Sequence, residues 1–186
     1  MKRNLPNILT GARIFLALNV AVCVVMNQLT FTAVLFAIAA LTDFFDGFTA
    51  RRLNLQSEFG EKFDPIADKI LMTVVLLALG ATGAAPAWFV GLVIGRDVVI
   101  LAGSLWVAKV TGVRRFPPTF LGKLSTCGQV AAVVAILLAA MTTALWPLGL
   151  MLVTIVASTL LTLASGADYV RIGVNLVRTH AVVAAA

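Results

Sequence analysis

Charge is scarce in this sequence. Only 12% of the 186 residues are Asp, Glu, Lys or Arg, whereas 61% are hydrophobic, and the mean hydropathy is +1.04. Soluble domains carry about 25% charged residues, so this composition excludes an ordinary soluble protein. Strand-like alternation and internal repeats of useful strength are also missing. A chain of apolar helices in a bilayer is therefore expected.

Six apolar stretches are long enough to cross a bilayer. Crossing the hydrocarbon core as a helix takes about 20 mostly apolar residues, and such stretches occur at 8–26, 29–49, 66–85, 88–110, 121–145 and 148–170. With short turns they use nearly the whole chain. We therefore predict an all-α polytopic membrane protein in which residues 1–186 form one domain of six transmembrane helices.

Three of the five predicted connections carry no charge, namely those around residue 27, residues 83–86 and residues 142–147. The charged residues lie in or near the two ends of the chain and the second and fourth connections. Because Lys and Arg collect on the cytoplasmic side, this pattern predicts cytoplasmic termini and an active site on the cytoplasmic face of the inner (plasma) membrane. The net charge of +6 would then face an anionic leaflet.

Cysteine is nearly absent as well. Cys23 and Cys127 are isolated within apolar spans and lack the spacing of metal ligands. We therefore predict that both pack as small hydrophobic residues and form no disulfide.

Acidic residues are few, yet six of the eight lie between residues 43 and 68, where the second and third predicted spans meet, and four of these six are aspartates. Asp43 and Asp46 are three residues apart and Asp64 and Asp68 are four apart, so each pair shares a helical face. The two helices run antiparallel, which allows the acidic faces to oppose each other. Four carboxylates in one pocket would repel unless a cation neutralised them. Such hard oxygen ligands suit Mg²⁺, Mn²⁺ or Ca²⁺, with a phosphate completing the coordination shell.

Small residues and an arginine accompany the acids. Gly47 and Ala50 leave room for a ligand near the backbone, and Arg51 can pair with a phosphate. Taken singly, the small residues are explained by helix packing and Arg51 by topology. Together with four acids at a membrane they indicate a functional site, because intramembrane acids are costly.

The segment from Asp43 to Asp68 reads D-x2-D-G-x2-A-R-x8-G-x3-D-x3-D. It resembles the signature of the CDP-alcohol phosphatidyltransferases at every fixed position, and the six-span plan is similar to that family too. The resemblance implies that an alcohol attacks the phosphate attached to diacylglycerol in CDP-diacylglycerol, releasing CMP.

The same resemblance implies roles for individual residues. One or two Mg²⁺ or Mn²⁺ ions would be held by Asp43, Asp46 and Asp64, with Asp68 as a metal ligand or general base. The CDP-diacylglycerol site would be lined by Gly47, Ala50, Arg51 and Gly60.

The acceptor alcohol is predicted from weaker similarities. Residues Pro6, Asn7, Thr10 and Arg13 resemble the opening helix of phosphatidylglycerophosphate and cardiolipin synthases, whereas 96–98, 118–126 and Gln129 are similar to eukaryotic-type cardiolipin synthases. This predicts phosphatidylglycerol as acceptor and cardiolipin as product, with glycerol 3-phosphate as the alternative acceptor. Either acceptor carries a phosphate, and the candidate residues that bind it are Arg96, Arg115 and Lys123.

The same basic residues can also serve the structure alone. Arg115 and Lys123 can equally be interfacial residues with snorkelling side chains, and Arg96 can form a structural pair in the neighbourhood of Asp97. For the whole chain, a transporter with an acidic cation pathway is the alternative function.

Two glycines indicate a site of close helix packing. Gly91 and Gly95 form a G-x3-G step in the fourth span, a surface on which helices can pack closely. This step predicts a homodimer or an intrachain contact.

Overall fold

The computed structural model describes residues 5–28, 30–39, 58–112 and 119–185, and the side chains of 15–28, 30–39, 69–112 and 119–179. All regular structure in these ranges is helical, which confirms the all-α class. The helices are α1 (Leu5–Val25), α2 (Thr30–Ala39), α3 (Glu58–Ala81), α4 (Ala87–Thr111), α5 (Phe120–Met141) and α6 (Leu145–Ala185).

Two helices extend well beyond the predicted apolar spans. Helix α3 begins at Glu58, eight residues before the span at 66–85, and α6 continues fifteen residues past the predicted end at 170. Hydropathy marks where a helix meets hydrocarbon, but a helix ends only where its backbone hydrogen bonding stops. No proline follows Pro147 in the sequence, so nothing in α6 breaks the helix where its polar residues begin.

Within the part of the chain that the structure describes, three helices are long and apolar enough to cross a membrane, namely α4, α5 and α6 as far as Thr179. Over the described side chains, α1, α2 and α3 contribute the shorter apolar stretches Phe15–Val25, Thr30–Ala39 and Lys69–Ala81. Large apolar side chains are exposed on most helices, including Phe120, Leu145 and Trp146. This exposure is unfavourable in water but favourable against lipid, so the protein is membrane-integral.

The uncharged connections lie where the sequence predicted them. Asn27 follows α1 with a φ of 56° and Gly83 follows α3 with a φ of 75°. Both residue types tolerate this left-handed backbone, which commonly ends a helix. The link between α5 and α6 consists of residues 142–144 only. Pro147 does not lengthen it, because this residue lies in the first turn of α6, where a missing N–H costs no intrahelical hydrogen bond.

The chain divides into two compact units, and the first contains residues 1–87 and 136–143. In this unit α1 packs against α3. The buried positions follow helical spacing, with Val20 and Val24 on α1 and Val75 and Leu79 on α3. One apolar stripe on each helix therefore accounts for the contact.

The second unit contains residues 88–135 and 144–186. Helices α5 and α6 approach closely here, since a Cβ at Gly128 would lie 3.4 Å from the Ser158 backbone. The second unit also contains Cys127, which is exposed rather than packed inside as predicted, while Cys23 of the first unit is partly buried; both are free thiols. A small thiol tolerates a lipid-facing position because lipid is as apolar as a core.

Candidate active site

Two of the four aspartates lie on α3. Asp64 and Asp68 are the seventh and eleventh residues of this helix, one turn apart on the same face, and Gly60 lies one turn before Asp64. The predicted helical spacing of this pair is confirmed. The side chains of these three residues lie outside the described ones, as do the whole residues Asp43, Asp46, Gly47, Ala50, Arg51 and Arg115.

The four signature aspartates are the predicted metal ligands. Among the side chains that the structure describes, no group of three His, Cys, Asp or Glu residues could hold a metal ion. The signature set fits a hard divalent cation, because it consists of carboxylates, two of them on adjacent turns of one helix face. The metal site at these four aspartates stays a prediction.

Arg96 and Asp97 depart from the predicted charge pattern. They are the tenth and eleventh of the 25 residues of α4 and so lie inside the helix rather than beside a connection. Their side chains are only 10% and 16% exposed. A charge in this setting needs partners, and Arg96 Nη1 donates to Asp97 Oδ1 at 2.9 Å while Arg96 Nη2 donates to Ser165 Oγ on α6. Partners on α4 and α6 thus allow the guanidinium to be buried.

Tyr169 provides a third contact for Arg96. The guanidinium carbon of Arg96 lies 5.7 Å from the centre of the Tyr169 ring, within the range of a cation–π interaction. The hydroxyl of the same tyrosine accepts a hydrogen bond from the Thr119 backbone N–H at 3.2 Å. One α6 side chain therefore contacts both α4 and the residue that precedes α5.

Lys123 lies in the first turns of α5. Thr119 caps this helix, because its hydroxyl accepts a hydrogen bond from the Gly122 N–H at 3.0 Å. The Lys123 N–H donates to the Thr119 carbonyl at 3.1 Å, and the Lys123 side chain is exposed. The structure thus places Lys123 beside the helix start that Tyr169 contacts.

Buried hydroxyl and amide groups join α5 to α6 further along the two helices. Ser125 Oγ and Thr162 Oγ1 are 3.1 Å apart, and Gln129 Nε2 lies 3.4 Å from each of them. All three residues are buried. These hydrogen bonds satisfy the buried polar groups and join the two helices.

A groove of about 330 Å³ runs between α4 and α6. Its wall is almost entirely apolar and includes Gly91, Gly95 and Gly166 together with the stem of Arg96, whose Cγ is 3.6 Å from a Cβ built on Gly166. An apolar wall suits an acyl chain or another helix, not a phosphate. The polar end of Arg96 is turned to its protein partners instead.

Comparison with known sequences identifies the family. A sequence profile of the CDP-alcohol phosphatidyltransferases matches residues 3–178. The chain belongs to this family. It is therefore a phosphatidyltransferase that takes its donor group from a CDP-linked lipid, as the aspartate signature predicted.

Three bacterial relatives of this chain share the same protein name. The phosphatidyltransferase is 42% identical to a Bacillus subtilis (strain 168) protein over 106 residues, covering 57% of this chain and 54% of the relative. It is 34% identical to proteins of Salmonella choleraesuis (strain SC-B67) over 142 residues and of Escherichia coli (strain K12) over 140 residues, covering 71% of this chain and 75% of each relative. All three are named CDP-diacylglycerol--glycerol-3-phosphate 3-phosphatidyltransferase.

Sequence reasoning missed two residues of the phosphatidyltransferase that hold Arg96. Ser165 and Tyr169 lie four residues apart and so share a face of α6. A signal was present, because Thr154, Ser158 and Thr162 precede them at spacings of three or four residues, in a stretch of α6 where Thr159 is the one other polar residue before Ser165. A polar stripe of this kind predicts the face that meets a buried charge.

Proposed function

We propose that this protein transfers a phosphatidyl group from CDP-diacylglycerol to glycerol 3-phosphate, giving phosphatidylglycerophosphate and CMP. The observation that carries the proposal is the shared name of relatives that align over about three quarters of their length. The complete signature from Asp43 to Asp68 supports the same chemistry.

The relatives favour glycerol 3-phosphate over phosphatidylglycerol, the acceptor predicted from local sequence similarities. Those similarities, at 96–98 and 118–126, include residues that would bind an acceptor phosphate, and both alcohols possess one. They therefore do not discriminate between the two acceptors. Family membership also favours the enzyme over the transporter alternative.

The reaction forms one phosphorus–oxygen bond and breaks another. A hydroxyl oxygen of glycerol 3-phosphate bonds to the phosphorus that carries diacylglycerol, and the bond from that phosphorus to the CMP oxygen breaks. Asp68 takes the hydroxyl proton as general base, and Arg51 binds the diphosphate, with Gly47, Ala50 and Gly60 leaving room for it. No covalent enzyme intermediate is required.

Asp43, Asp46 and Asp64, with Asp68 as a further ligand, would hold Mg²⁺ or Mn²⁺. When bound, the metal would neutralise the diphosphate and stabilise the charge that leaves with CMP. We expect EDTA to abolish CMP release and added Mg²⁺ or Mn²⁺ to restore it. Full activity in excess chelator would refute the metal assignment while leaving the choice of acceptor open to its own test.

Arg96, Arg115 and Lys123 are proposed to bind the acceptor phosphate. Lys123 is exposed at the start of α5, where its ammonium group is available to an anion. Arg96 has Asp97, Ser165 and Tyr169 as partners, but a guanidinium has five N–H donors. Donors therefore remain for a phosphate oxygen.

The acceptor is tested by product analysis. Purified protein is incubated with CDP-diacylglycerol and either glycerol 3-phosphate or phosphatidylglycerol, and the lipid product is identified. We expect phosphatidylglycerophosphate from the first mixture and no cardiolipin from the second. Cardiolipin formation without use of glycerol 3-phosphate would overturn the proposed acceptor but not the family reaction.

A homodimer is part of the proposal, with the groove between α4 and α6 as its contact. Gly91 and Gly95 line this groove, and a Cβ on either would meet no atom within 4 Å, so a helix of a second copy has room to approach. Gly95→Leu should then weaken self-association in detergent measured by light scattering. Gly103→Leu, at an equally open position of α4, is the matched control, and equal effects of both would count against this contact.

A further inference from the structure

Tyr169 connects separate parts of the proposed acceptor site in the second unit. Its ring lies under the Arg96 guanidinium at 5.7 Å, and its hydroxyl receives the Thr119 N–H at 3.2 Å. Arg96 belongs to α4 and Thr119 caps α5, whereas Tyr169 belongs to α6. A single side chain therefore links three helices at the level of the basic residues.

The contact at Thr119 defines where α5 begins. The N–H of an N-cap residue has no partner within its own helix, and here Tyr169 accepts it. Thr119 in turn accepts the Gly122 N–H through its side chain and the Lys123 N–H through its carbonyl. The hydroxyl of Tyr169 thus fixes the turn that carries Lys123.

The chain makes room for the tyrosine at Gly122. A Cβ at this position would lie 3.2 Å from Tyr169 Cε2, 3.2 Å from the Tyr169 hydroxyl and 3.2 Å from Thr119 Oγ1. These distances are shorter than ordinary van der Waals contact, so an alanine would push the ring or the cap aside. The glycine therefore permits the close approach of α5 to the ring.

Two residues of α6 contact the guanidinium of Arg96. Ser165 accepts a hydrogen bond from Nη2, and Tyr169, one turn later on the same face, supplies its ring. The arginine side chain is only 10% exposed, and its Nε has no hydrogen-bond partner among the described residues. The orientation of the guanidinium thus depends on α6 as much as on its neighbour Asp97.

The geometry points to Tyr169 as a positioning residue that sets the spacing between Arg96 and the Lys123 end of α5, and thereby the affinity for the acceptor phosphate. The inference rests on the proposed function to the extent that Arg96 and Lys123 bind the acceptor. Tyr169 acts through these two residues and takes no part in the bond changes. Its loss should therefore affect acceptor binding more than the chemical step.

Tyr169→Phe tests the hydroxyl while keeping the ring under Arg96. We expect the KM for glycerol 3-phosphate to rise about three- to tenfold, the range for losing one hydrogen bond. The kcat and the KM for CDP-diacylglycerol should stay within about twofold. Thr154→Val is the matched control, because it removes an α6 hydroxyl that bonds only to the backbone of its own helix.

A second variant tests the same contact from the opposite side. Gly122→Ala should raise the acceptor KM as Tyr169→Phe does, whereas Gly103→Ala, where a Cβ meets nothing within 4 Å, should leave it unchanged. Because alanine favours helix over glycine, a loss in the Gly122 variant would not come from weaker helix propensity.

A double-mutant cycle separates positioning from general stability. If the hydroxyl acts by placing Lys123, then Tyr169→Phe should cost less acceptor affinity once Lys123→Ala is present. Additive effects, an equal rise in both KM values, or a fall in melting temperature with unchanged KM values would each overturn the inference.

The wild-type protein provides the reference that distinguishes the two proposals. If it uses phosphatidylglycerol instead of glycerol 3-phosphate, the proposed function fails, and the same series is measured with phosphatidylglycerol. If it uses glycerol 3-phosphate and the Tyr169 variant keeps the wild-type KM, only the positioning inference fails.

Discussion

Ser125 Oγ and Thr162 Oγ1 lie 3.1 Å apart, both fully buried between α5 and α6. Lipid cannot satisfy a hydroxyl group, so each of these residues depends on the other and on Gln129. Interhelical hydrogen bonds in membrane proteins contribute about 0.6 kcal/mol on average and up to about 1.7 kcal/mol. The hydrogen bond between Ser125 and Thr162 therefore stabilises the packing of α5 against α6.

Removing one of the two hydroxyls should lower stability. Ser125→Ala leaves Thr162 with only the longer contact to Gln129, and we expect a loss of about 0.5–1.5 kcal/mol in the free energy of unfolding. The measurement is unfolding in detergent. Thr126→Val, next in sequence, removes a hydroxyl that is exposed and bonded to its own helix, and should cost clearly less. An equal loss in both variants would show that the buried pair contributes no more to the free energy of unfolding than an exposed hydroxyl does.

Neutralising the signature aspartates should abolish the chemical step. Asp43→Asn, Asp46→Asn and Asp64→Asn each remove a charge that would hold metal against the diphosphate, and we expect kcat to fall roughly a hundredfold or more with any acceptor. Asp168→Asn, outside the signature on α6, is the matched control. Retention of normal kcat by any signature variant would remove that residue from the ligand set.

Loss of a single basic residue should act through the acceptor. Lys123→Ala should raise the KM for glycerol 3-phosphate severalfold without changing the melting temperature, because its side chain is exposed. Arg96→Ala should raise the same KM and also lower the melting temperature, since it removes contacts to Ser165 and Tyr169. Lys109→Ala at the end of α4 is the control. A rise in the KM for CDP-diacylglycerol alone would assign these residues to the donor.

The orientation of the chain is tested by cysteine labelling. Asn27 and Gly83 have left-handed backbones, so single cysteines are better placed at Gln28, Thr82 and Thr142, in a protein lacking Cys23 and Cys127. All three should react only from the side opposite the termini, whereas Lys109→Cys should react from the side of the termini. Labelling of any of the first three from the terminal side would contradict the six-span prediction.

Much of this fold follows from its apolar stretches. The turns at Asn27 and Gly83 were predicted because the sequence itself shows where one apolar stretch ends and the next begins. The start of α3 at Glu58 was not, because the residues from Glu58 to Phe63 are too polar to register as a span although they continue the helix. Hydropathy thus predicts the membrane segments more accurately than the helix ends.

The candidate site likewise has one part that the sequence predicts and another that it does not. The aspartate signature is a local pattern, so spacing alone predicts a carboxylate site that suits a divalent cation, whereas the reaction was predicted from the resemblance to the family. The contacts of Arg96 with Ser165 and Tyr169 join residues about seventy positions apart; the polar stripe marks one face of α6, but no local pattern pairs that face with Arg96. These contacts depend on which faces of α4 and α6 pack against each other.

The length of α6 determines the depth of Arg96 in the bilayer. Ser165 lies twenty residues after Leu145, the first residue of α6, which corresponds to about 30 Å along the helix axis. A bilayer's hydrocarbon core is also about 30 Å thick, and the exposed Trp146 at the start of α6 is a side chain typical of the membrane boundary. Counted along α4 the arginine is in mid-helix, but measured along α6 it reaches the opposite boundary. A water-soluble anion could therefore meet it without carrying its charge into hydrocarbon.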